Sequence, residues 1–207
     1  MTAYEWWTLA IRGAGVVASV IVAVLAVWGD FFRSRLAGPK LHVGLLNPDG
    51  ERTSWTGNIP TRFYHLRVSN GRRWAPARNA RVVVTKLARA AADQTFAVLP
   101  LSGPLQLTWQ FPKTSPQYSV VGPDHTCDLG YIRPDRDFTL SPYVTPNNFQ
   151  GVVRAGDRMR VEIQAVADNA ESEPLFLEIA WDGTWNDDTT EMRRHLVVKS
   201  VRSIDGV

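Results

Sequence analysis

An uncharged apolar run at residues 13–29, GAGVVASVIVAVLAVWG, constrains this 207-residue chain more than any other feature. A helix rises about 1.5 Å per residue, so roughly 20 residues cross the hydrocarbon core of a bilayer. The run reaches that length when residues 9–11 and 31–32 join it, which predicts a transmembrane helix over 9–32 after a short tail at 1–8. A single strand of this length would leave its backbone unpaired in lipid, so the helix is favoured despite the valines and isoleucines.

Residues of the kind that anchor a helix in a membrane lie near the two ends of the run: Trp6, Trp7, Arg12, Trp28, Arg33 and Arg35. Tryptophan rings prefer the membrane interface, and a long arginine stem can snorkel toward it. Only Arg12 precedes the run, whereas two arginines and Lys40 follow it, so the positive-inside rule predicts an inner-membrane protein with a cytoplasmic C-terminal domain. Two alternatives are a cleaved signal peptide and a buried core helix. The first would need a basic start and a small-residue cleavage site, and the second is normally amphipathic.

Small residues crowd one end of the run. Ala14 and Ala18 are four positions apart, as are Gly15 and Ser19. This spacing lets two helices approach closely in a membrane, so it predicts a homo-oligomer formed through the helix.

Composition divides the chain into an anchor and a nearly neutral domain. Residues 1–40 hold four bases and two acids, and the remaining residues carry 19 of the 23 basic and 18 of the 20 acidic side chains. The formal charge of +3 is therefore no sign of a basic surface, and we expect no nucleic-acid partner. Gly38-Pro39 breaks a helix and predicts a linker at 33–39, a domain at 40–202 and a loose end at 203–207. The single cysteine, Cys127, agrees with a reducing compartment.

Beyond residue 39 the apolar pattern changes to a period of two, which is typical of half-buried strands. The clearest alternation is at residues 160–167, 63–70, 175–181 and 195–201. Further strands are predicted at 40–46, 80–87, 95–99, 104–111, 127–132 and 137–140, and residues 87–93 (LARAAAD) are interpreted as a strand end leading into a loop or one helical turn. Many short strands between Gly, Asn, Asp and Pro turns predict a mainly β fold, one antiparallel β-sandwich.

The segment YHLRVSNGRRWAPARNARVVVTKL, residues 64–87, places an Ala-Pro-Ala loop between two apolar strands. It resembles the immunoglobulin-like sandwiches of bacterial surface and cell-adhesion-related proteins, and the layout of the chain is similar to bacterial single-pass proteins that carry such a module. The resemblance implies an immunoglobulin-like sandwich and implies no catalytic residue.

Arginines concentrate around the hairpin predicted within this segment, with one tryptophan among them: Arg67, Arg72, Arg73, Trp74, Arg78 and Arg81. Arginine beside an aromatic ring can hold a phosphate or stack on a base, and it can also bind anionic lipid headgroups. The alternative is a solvated outer sheet face. These residues are therefore candidates for an anionic ligand.

The sequence WDGTWNDD at residues 181–188 is the most distinctive local segment. Its oxygen-bearing side chains, Asp182, Asn186, Asp187 and Asp188, are of the type that calcium binds, although the order of an EF-hand is absent. Trp181 and Trp185 could line a ligand edge. The favoured interpretation is a hairpin corner, in which Asp-Gly makes the turn and the tryptophans pack across it.

Cys127 and His125 would share one face of a strand, as a nucleophilic pair or, with His42, His65 or His195, as part of a zinc site. Neither has the spacing of a known motif, and no nucleotide-binding, hydrolase or zinc-protease motif is present. We therefore expect no cofactor and a non-enzymatic membrane-anchored module that binds a protein partner. One alternative is a sensor–effector that binds an anionic ligand and clusters its anchors, as in bacterial defence. The other is a metal-dependent hydrolase using Asp187 or Asp188.

Overall fold

A computed structural model describes residues 2–55, 57–110 and 119–204, apart from the side chains of residues 3, 5, 9, 10, 30–36 and 119. The chain divides into two compact units, Met1–Gly38 and Pro39–Val207. Among the residues described, the first unit is a single helix and the second holds all of the strands.

The helix α1 spans Ala3–Ala37, and within it Trp6–Gly29 is long and apolar enough to cross a membrane. None of that most apolar window is buried, and its side chains are open, with Trp7 71% and Val16 66% exposed. This segment is therefore no core helix of the described chain. Arg12, Ala14, Gly15, Ala18 and Ser19 all lie on exposed helical backbone, where the Ser19 hydroxyl donates to the Gly15 carbonyl oxygen at 2.9 Å.

The helix is longer than predicted at both ends. It begins six residues before residue 9 and continues through residues 33–37, which the sequence suggested were a linker. These residues lack any helix breaker, and the helix ends where Gly38-Pro39 interrupts it. The backbone at Arg33 and Arg35 is helical, but their side chains lie outside the described residues.

Fourteen strands and one short helix make up the second unit as described. They are β1 (Leu41–Leu45), β2 (Glu51–Trp55), β3 (Ile59–Asn70), β4 (Ala77–Ala90), β5 (Phe96–Leu99), β6 (Leu105–Gln106), β7 (Ser119–Val121), β8 (Asp124–Arg133), β9 (Arg136–Leu140), β10 (Val152–Val153), β11 (Arg158–Ala167), β12 (Ala170–Glu171), β13 (Leu175–Trp181), α2 (Thr189–His195) and β14 (Leu196–Ser200).

These strands form two antiparallel sheets. The six-stranded sheet has the order β1-β3-β8-β9-β10, with β2 also paired to β3. The eight-stranded sheet has the order β14-β13-β11-β4-β5, with β12 on β11 and with β6 and β7 on β4. Inward side chains of both sheets form one core, in which Leu66 and Val68 of β3 belong to the same cluster as Val84 and Ile163. The prediction of a mainly β, antiparallel domain is confirmed.

The strands with the clearest alternation are confirmed within a few residues, and residues 87–93 leave β4 at Ala90 for a turn, as predicted. The sequence did not predict β2, β7, β10, β12 or α2. The segment at 104–111 contributes only the two-residue strand β6, followed by isolated bridges at Leu107 and Trp109.

The predicted hairpin at residues 64–87 is wrong. The strand β3 belongs to the six-stranded sheet and β4 to the eight-stranded one, so the loop at 71–76 carries the chain from one sheet to the other. A buried asparagine at the end of β3, described below, holds this crossover in place.

Residues 105–110 tie the two sheets together. The Leu107 N–H donates to the Val82 carbonyl of the eight-stranded sheet at 2.8 Å. Three residues later the Gln110 N–H donates to the Thr126 carbonyl of the six-stranded sheet at 3.0 Å. Between them Trp109 enters the core with 2% of its surface exposed.

The outer face of the eight-stranded sheet carries a network of ion pairs around Glu178, whose side chain is 3% exposed. Arg158 and Lys199 approach one carboxylate oxygen at 3.0 and 3.3 Å, and Arg160 approaches the other at 2.9 Å. Burial raises the pKa of Glu178, but hydrogen bonds from Arg160, Arg158 and Lys199 outweigh it and hold that pKa below its usual range. Arg158, Arg160 and Lys199 are therefore engaged in a structural network.

We expect Glu178→Gln to lower the free energy of unfolding near neutral pH by about 1–3 kcal/mol, because three cations lose their charged acceptor. The folded-state pKa lies below the ordinary value of 4.5, so the stabilisation is present above that pH and is lost as pH falls through the folded pKa. Thermal unfolding of the full chain in detergent at several pH values measures it. The variant should converge on the native protein at acid pH, whereas Glu173→Gln at an exposed position should match the native protein throughout. A pH-independent difference would contradict the assignment.

The predicted loose end is shorter than residues 203–207. Ile204 is only 4% exposed, and its carbonyl accepts a hydrogen bond from Arg160 Nη1 at 3.4 Å. The chain is thus tied to the sheet through residue 204, and residues 205–207 lie outside the description.

Candidate functional site

The long strand β3 gives the domain two ends. Its last residue, Asn70, bonds to Lys40, the residue just before β1, and its first residue, Ile59, pairs with Trp55 of β2. Twelve residues of strand separate the two ends by roughly 35 Å. We call these the Lys40 end and the Trp55 end. The chain from α1 enters the domain at the Lys40 end.

At the Trp55 end, three rings cluster on the outer face of the six-stranded sheet. Trp55 lies 5.7 Å from Phe63 and 5.2 Å from Tyr131 between ring centroids, with interplanar angles of 12° and 24°. The Arg133 guanidinium lies 5.9 Å from the Trp55 ring centroid. Trp55 is 39% exposed and Phe63 and Tyr131 are half-buried, so these rings form an accessible surface. We call Trp55, Phe63 and Tyr131 the aromatic face.

A buried histidine continues this face toward the middle of the sheet. The His65 ring stacks on Phe63 at 6.2 Å, and its Nδ1 is 2.9 Å from the carboxylate of Asp128. Its Nε2 lies 3.4 Å from the carboxylate of Glu51 on β2. With both ring nitrogens engaged by carboxylates, His65 joins β2, β3 and β8 beside the aromatic face.

The strand β2 is a free edge next to these rings. It pairs with β3 alone among the described strands, and all five of its residues are exposed. An edge strand presents unpaired N–H and C=O groups to which another chain can bind. The edge and the aromatic face together offer main-chain hydrogen bonds beside apolar and cationic side chains.

A buried arginine braces the Trp55 end from inside. Arg62 is fully buried, and its Nη1 donates to the Asp49 carbonyl at 3.3 Å and to the Thr189 hydroxyl at 3.1 Å. Its Nη2 donates to the Asp187 carbonyl at 3.2 Å. Beside it, burial raises the pKa of the Tyr64 hydroxyl far above its ordinary value, although the charge of Arg62 lowers it. Arg62 thus joins the β1–β2 loop to the start of α2.

The acidic segment at 182–188 lies at the same end, but as a helix start. Asp188 is the N-cap of α2 and accepts from the Thr190 and Glu191 N–H groups at 2.8 and 3.0 Å. The predicted tight turn at Asp-Gly is therefore wrong: β13 and β14 do pair as an antiparallel hairpin, but residues 182–195, including α2, connect them. The sequence Asp188-Thr-Thr-Glu191 is a capping-box pattern that was available as a signal for this helix.

The four proposed calcium ligands have separate partners. Asp182 accepts from the Thr184 N–H and lies 2.7 Å from His195 Nδ1, and Asn186 accepts from the Asp188 N–H. Asp187 pairs with Arg52 of β2 at 3.0 Å. Burial raises the pKa of Asp182, but the bonds from His195 and Thr184 hold that pKa below its usual range. Among the described residues, no group of three or more His, Cys, Asp or Glu side chains could hold a metal.

The two tryptophans of that segment pack inward. Trp181 is 5% exposed in the core, and Trp185 is half-buried against it, with Nε1 3.3 Å from the Asp187 carboxylate. Trp181 is therefore a core residue and is closed to a ligand.

At the Lys40 end, Asn70 organises the loop at 71–76, which we call the arginine loop. Asn70 is 3% exposed, and its Oδ1 accepts from the N–H groups of Lys40 and Arg72, both at 3.0 Å. Its Nδ2 donates to the Ala75 carbonyl at 2.7 Å, and the Gly71 N–H donates to the Lys40 carbonyl at 2.8 Å. These bonds fix the arginine loop against the residue at which the domain begins.

The predicted arginine cluster is only partly brought together. Arg72, Arg73 and Trp74 share the arginine loop, where Trp74 is 75% exposed. Arg67 points outward from the six-stranded sheet and pairs with Asp124. Arg81 points outward from the eight-stranded sheet opposite Val166.

Arg78 is exposed at the start of β4. Beside it, Asn79 lies in the left-handed region at φ 52° and donates to the Asp168 carboxylate at 2.7 Å. The six predicted residues therefore lie on three separate surfaces.

Cys127 and His125 share one face of β8, as predicted, but differ in exposure. Cys127 is fully buried against the Thr108 carbonyl, and burial, with the Asp128 charge, raises the pKa of its thiol well above the ordinary value. His125 is exposed, with its ring against the edge of Trp109 at 5.0 Å. The histidines His42, His65 and His195 join no metal group among the described residues.

The sequence patterns did not predict the aromatic face or β2. Phe63 and Tyr131 were visible as outward positions of alternating strands, whereas Trp55 lies in a segment with no apolar alternation. Comparison of the chain with protein-family models, with curated proteins and with solved structures gives no match.

Proposed function

We propose that the chain is a single-pass membrane protein whose β-sandwich binds a protein partner at the Trp55 end. The anchor is α1, and the partner contributes an extended segment that adds to the β2 edge beside the aromatic face. The observation that carries the proposal is the fully exposed edge strand β2 adjoining three clustered rings and Arg133.

The position of this surface supports a role in display. The chain enters the domain at Lys40, and the aromatic face begins at Phe63, seven residues or roughly 23 Å along β3 from Asn70, and extends toward the other end of that strand. A binding surface far from the point of attachment stays accessible to a partner in solution. The outer face of the eight-stranded sheet is instead occupied by its ion-pair network around Glu178.

The chemistry of the surface supports a protein ligand. Tryptophan, tyrosine and arginine are the side chains that most often dominate binding at protein interfaces. Strand addition supplies main-chain hydrogen bonds, and side chains beside the edge give selectivity. Trp55, Tyr131 and Arg133 are placed to do this next to β2.

Fold and orientation belong to the same proposal. Three crossings between the sheets, β3 to β4, β7 to β8 and β10 to β11, support an immunoglobulin-like arrangement. The bases that follow the apolar run support a domain on the cytoplasmic side of an inner membrane. The sensor–effector alternative draws less support because its arginines are dispersed, and the hydrolase because its acids have structural partners.

Site-specific photo-crosslinking in cells tests the binding surface with the full chain. A benzophenone amino acid in place of Thr53 in β2 should form one discrete adduct under light. Mass spectrometry of that adduct identifies the partner, and the identity of the partner indicates the compartment. Val98 of β5, which is 56% exposed on the other sheet, is the matched position and should give no such adduct. Trp55→Ala should weaken the Thr53 adduct about tenfold or more, as expected for a hot-spot tryptophan.

Three results would contradict the proposal. An adduct of the same partner at both positions would mean nonspecific contact, and no adduct at Thr53 would mean that β2 is not an interface. An adduct with a second copy of the chain would assign the edge to self-association.

A further inference from the structure

We infer that the arginine loop binds an anionic lipid surface through Arg73 and Trp74 and thereby fixes the orientation of the domain on its membrane. The inference rests on the proposed function only in that α1 must be a membrane anchor. It concerns the Lys40 end, whereas the proposed protein partner binds at the Trp55 end.

Hydrogen bonds from Asn70 hold the arginine loop in place. Asn70 holds it from within by bonds to Lys40, Arg72 and Ala75, and the Ala75 N–H donates to the Arg72 carbonyl at 3.0 Å. The Trp74 side chain takes no part in these bonds, and 75% of its surface is exposed. An exposed tryptophan on a well-braced loop has no packing role within the described domain.

The covalent chain limits how far the loop can lie from any membrane that α1 spans. Lys40 follows the last helical residue, Ala37, by three residues, which cover at most about 11 Å. The helix continues eight residues beyond Gly29, where the apolar segment ends, a rise of roughly 12 Å. Because the arginine loop bonds directly to Lys40, these two lengths keep its attachment point within about 23 Å of the end of the apolar segment.

The side chains match that environment. Lys40 and Arg73 are exposed bases at this end of the domain, and each base near an anionic membrane strengthens binding about fivefold. Tryptophan prefers the interface, where its ring is in contact with acyl chains and its N–H meets water. An arginine–tryptophan loop so near the anchor therefore suits lipid headgroups better than a soluble ligand.

The test uses the full chain in vesicles of phosphatidylcholine, with or without phosphatidylglycerol. Pro76→Cys carries an environment-sensitive fluorophore at the last residue of the loop, and a nitroxide-labelled lipid headgroup quenches it on contact. Ser54→Cys on β2 is the matched label at the Trp55 end. Cys127 is fully buried, so the native chain serves as the unlabelled blank.

We expect quenching at position 76 in anionic vesicles, a loss of it in high salt, and little quenching in neutral vesicles or at position 54. Arg73→Gln should reduce the ratio of docked to undocked loop about fivefold, and adding Trp74→Ala should reduce it further. Arg136→Gln removes an exposed base from the β8–β9 turn at the Trp55 end and should leave the quenching unchanged.

Equal quenching at position 76 in both lipids and in all variants would overturn the inference, because it would show that the covalent link to α1 alone brings the loop to the membrane. Quenching in neither lipid would overturn it as well. Alkaline carbonate extraction of the same vesicles separates the two proposals. Release of the chain by carbonate would refute the membrane anchor. A chain that is retained, but whose fluorophore at position 76 is quenched equally in anionic and neutral vesicles, would refute only lipid binding by the loop.

Discussion

Trp109→Ala should lower the free energy of unfolding by about 3–5 kcal/mol, the largest loss expected from a single substitution in this chain. The indole is 2% exposed, so its removal leaves a cavity in the shared core. The cavity would lie beside the segment that joins the two sheets, because the neighbouring Leu107 and Gln110 N–H groups bond to Val82 in one sheet and Thr126 in the other. Urea unfolding of the full chain in detergent, followed by the circular dichroism of the sheets, measures the change.

Trp74→Ala is the matched control for this experiment. It removes the same side chain from a position that is 75% exposed, and its effect on stability should stay within about 0.5 kcal/mol. Equal losses from the two substitutions would contradict the placement of Trp109 in the core.

Arg62→Ala should lower the free energy of unfolding by about 3 kcal/mol, with the damage beginning at the Trp55 end. The substitution removes a fully buried side chain and leaves the Asp49 carbonyl, the Thr189 hydroxyl and the Asp187 carbonyl without their donor. Hydrogen exchange should rise first in α2 and at residues 46–50, the two segments that Arg62 joins. The Thr53 photo-adduct should fall in parallel, because β2 follows one of those segments directly.

Arg52→Ala is the control for Arg62→Ala. Arg52 pairs with Asp187 at the surface, where its side chain is 51% exposed, so the loss should be at most about 1 kcal/mol. Arg62→Met separates packing from hydrogen bonding. Native stability and native exchange in that variant would show that the apolar stem of Arg62 suffices and that the three bonds contribute little.

The strands with strict alternation were predictable because burial on one face imposes a period of two on the sequence. Residues 160–167 and 63–70 show that pattern, and both lie within strands of the structure. The strand β2 was not predictable in this way, since ERTSW is exposed at every position and is held by its pairing to β3 and by the Trp55 ring. Helix α2 was within reach through its capping-box pattern, although seven residues are too few for a helical period.

The candidate site was predicted only in part. The arginine loop and the segment at 181–188 were singled out by residue type, but residue type does not report which surfaces meet. The strand–loop–strand pattern of residues 64–87 is the same for a hairpin and for a crossover between sheets. The bonds from Asn70 to Lys40 and to the loop accompany the crossover, and Lys40 is thirty positions away in the sequence.

The sequence by itself determined an apolar helix followed by an antiparallel β domain, because local hydrophobicity and periodicity act over neighbouring residues. It also determined that the charge of the domain is nearly balanced. Only the tertiary structure decided that Arg62 is buried, that Trp55, Phe63 and Tyr131 share one face, and that this face lies at the far end of β3 from Lys40. The physical reason is that strand pairing and core packing join residues distant in the chain, and no local pattern records which strands become neighbours.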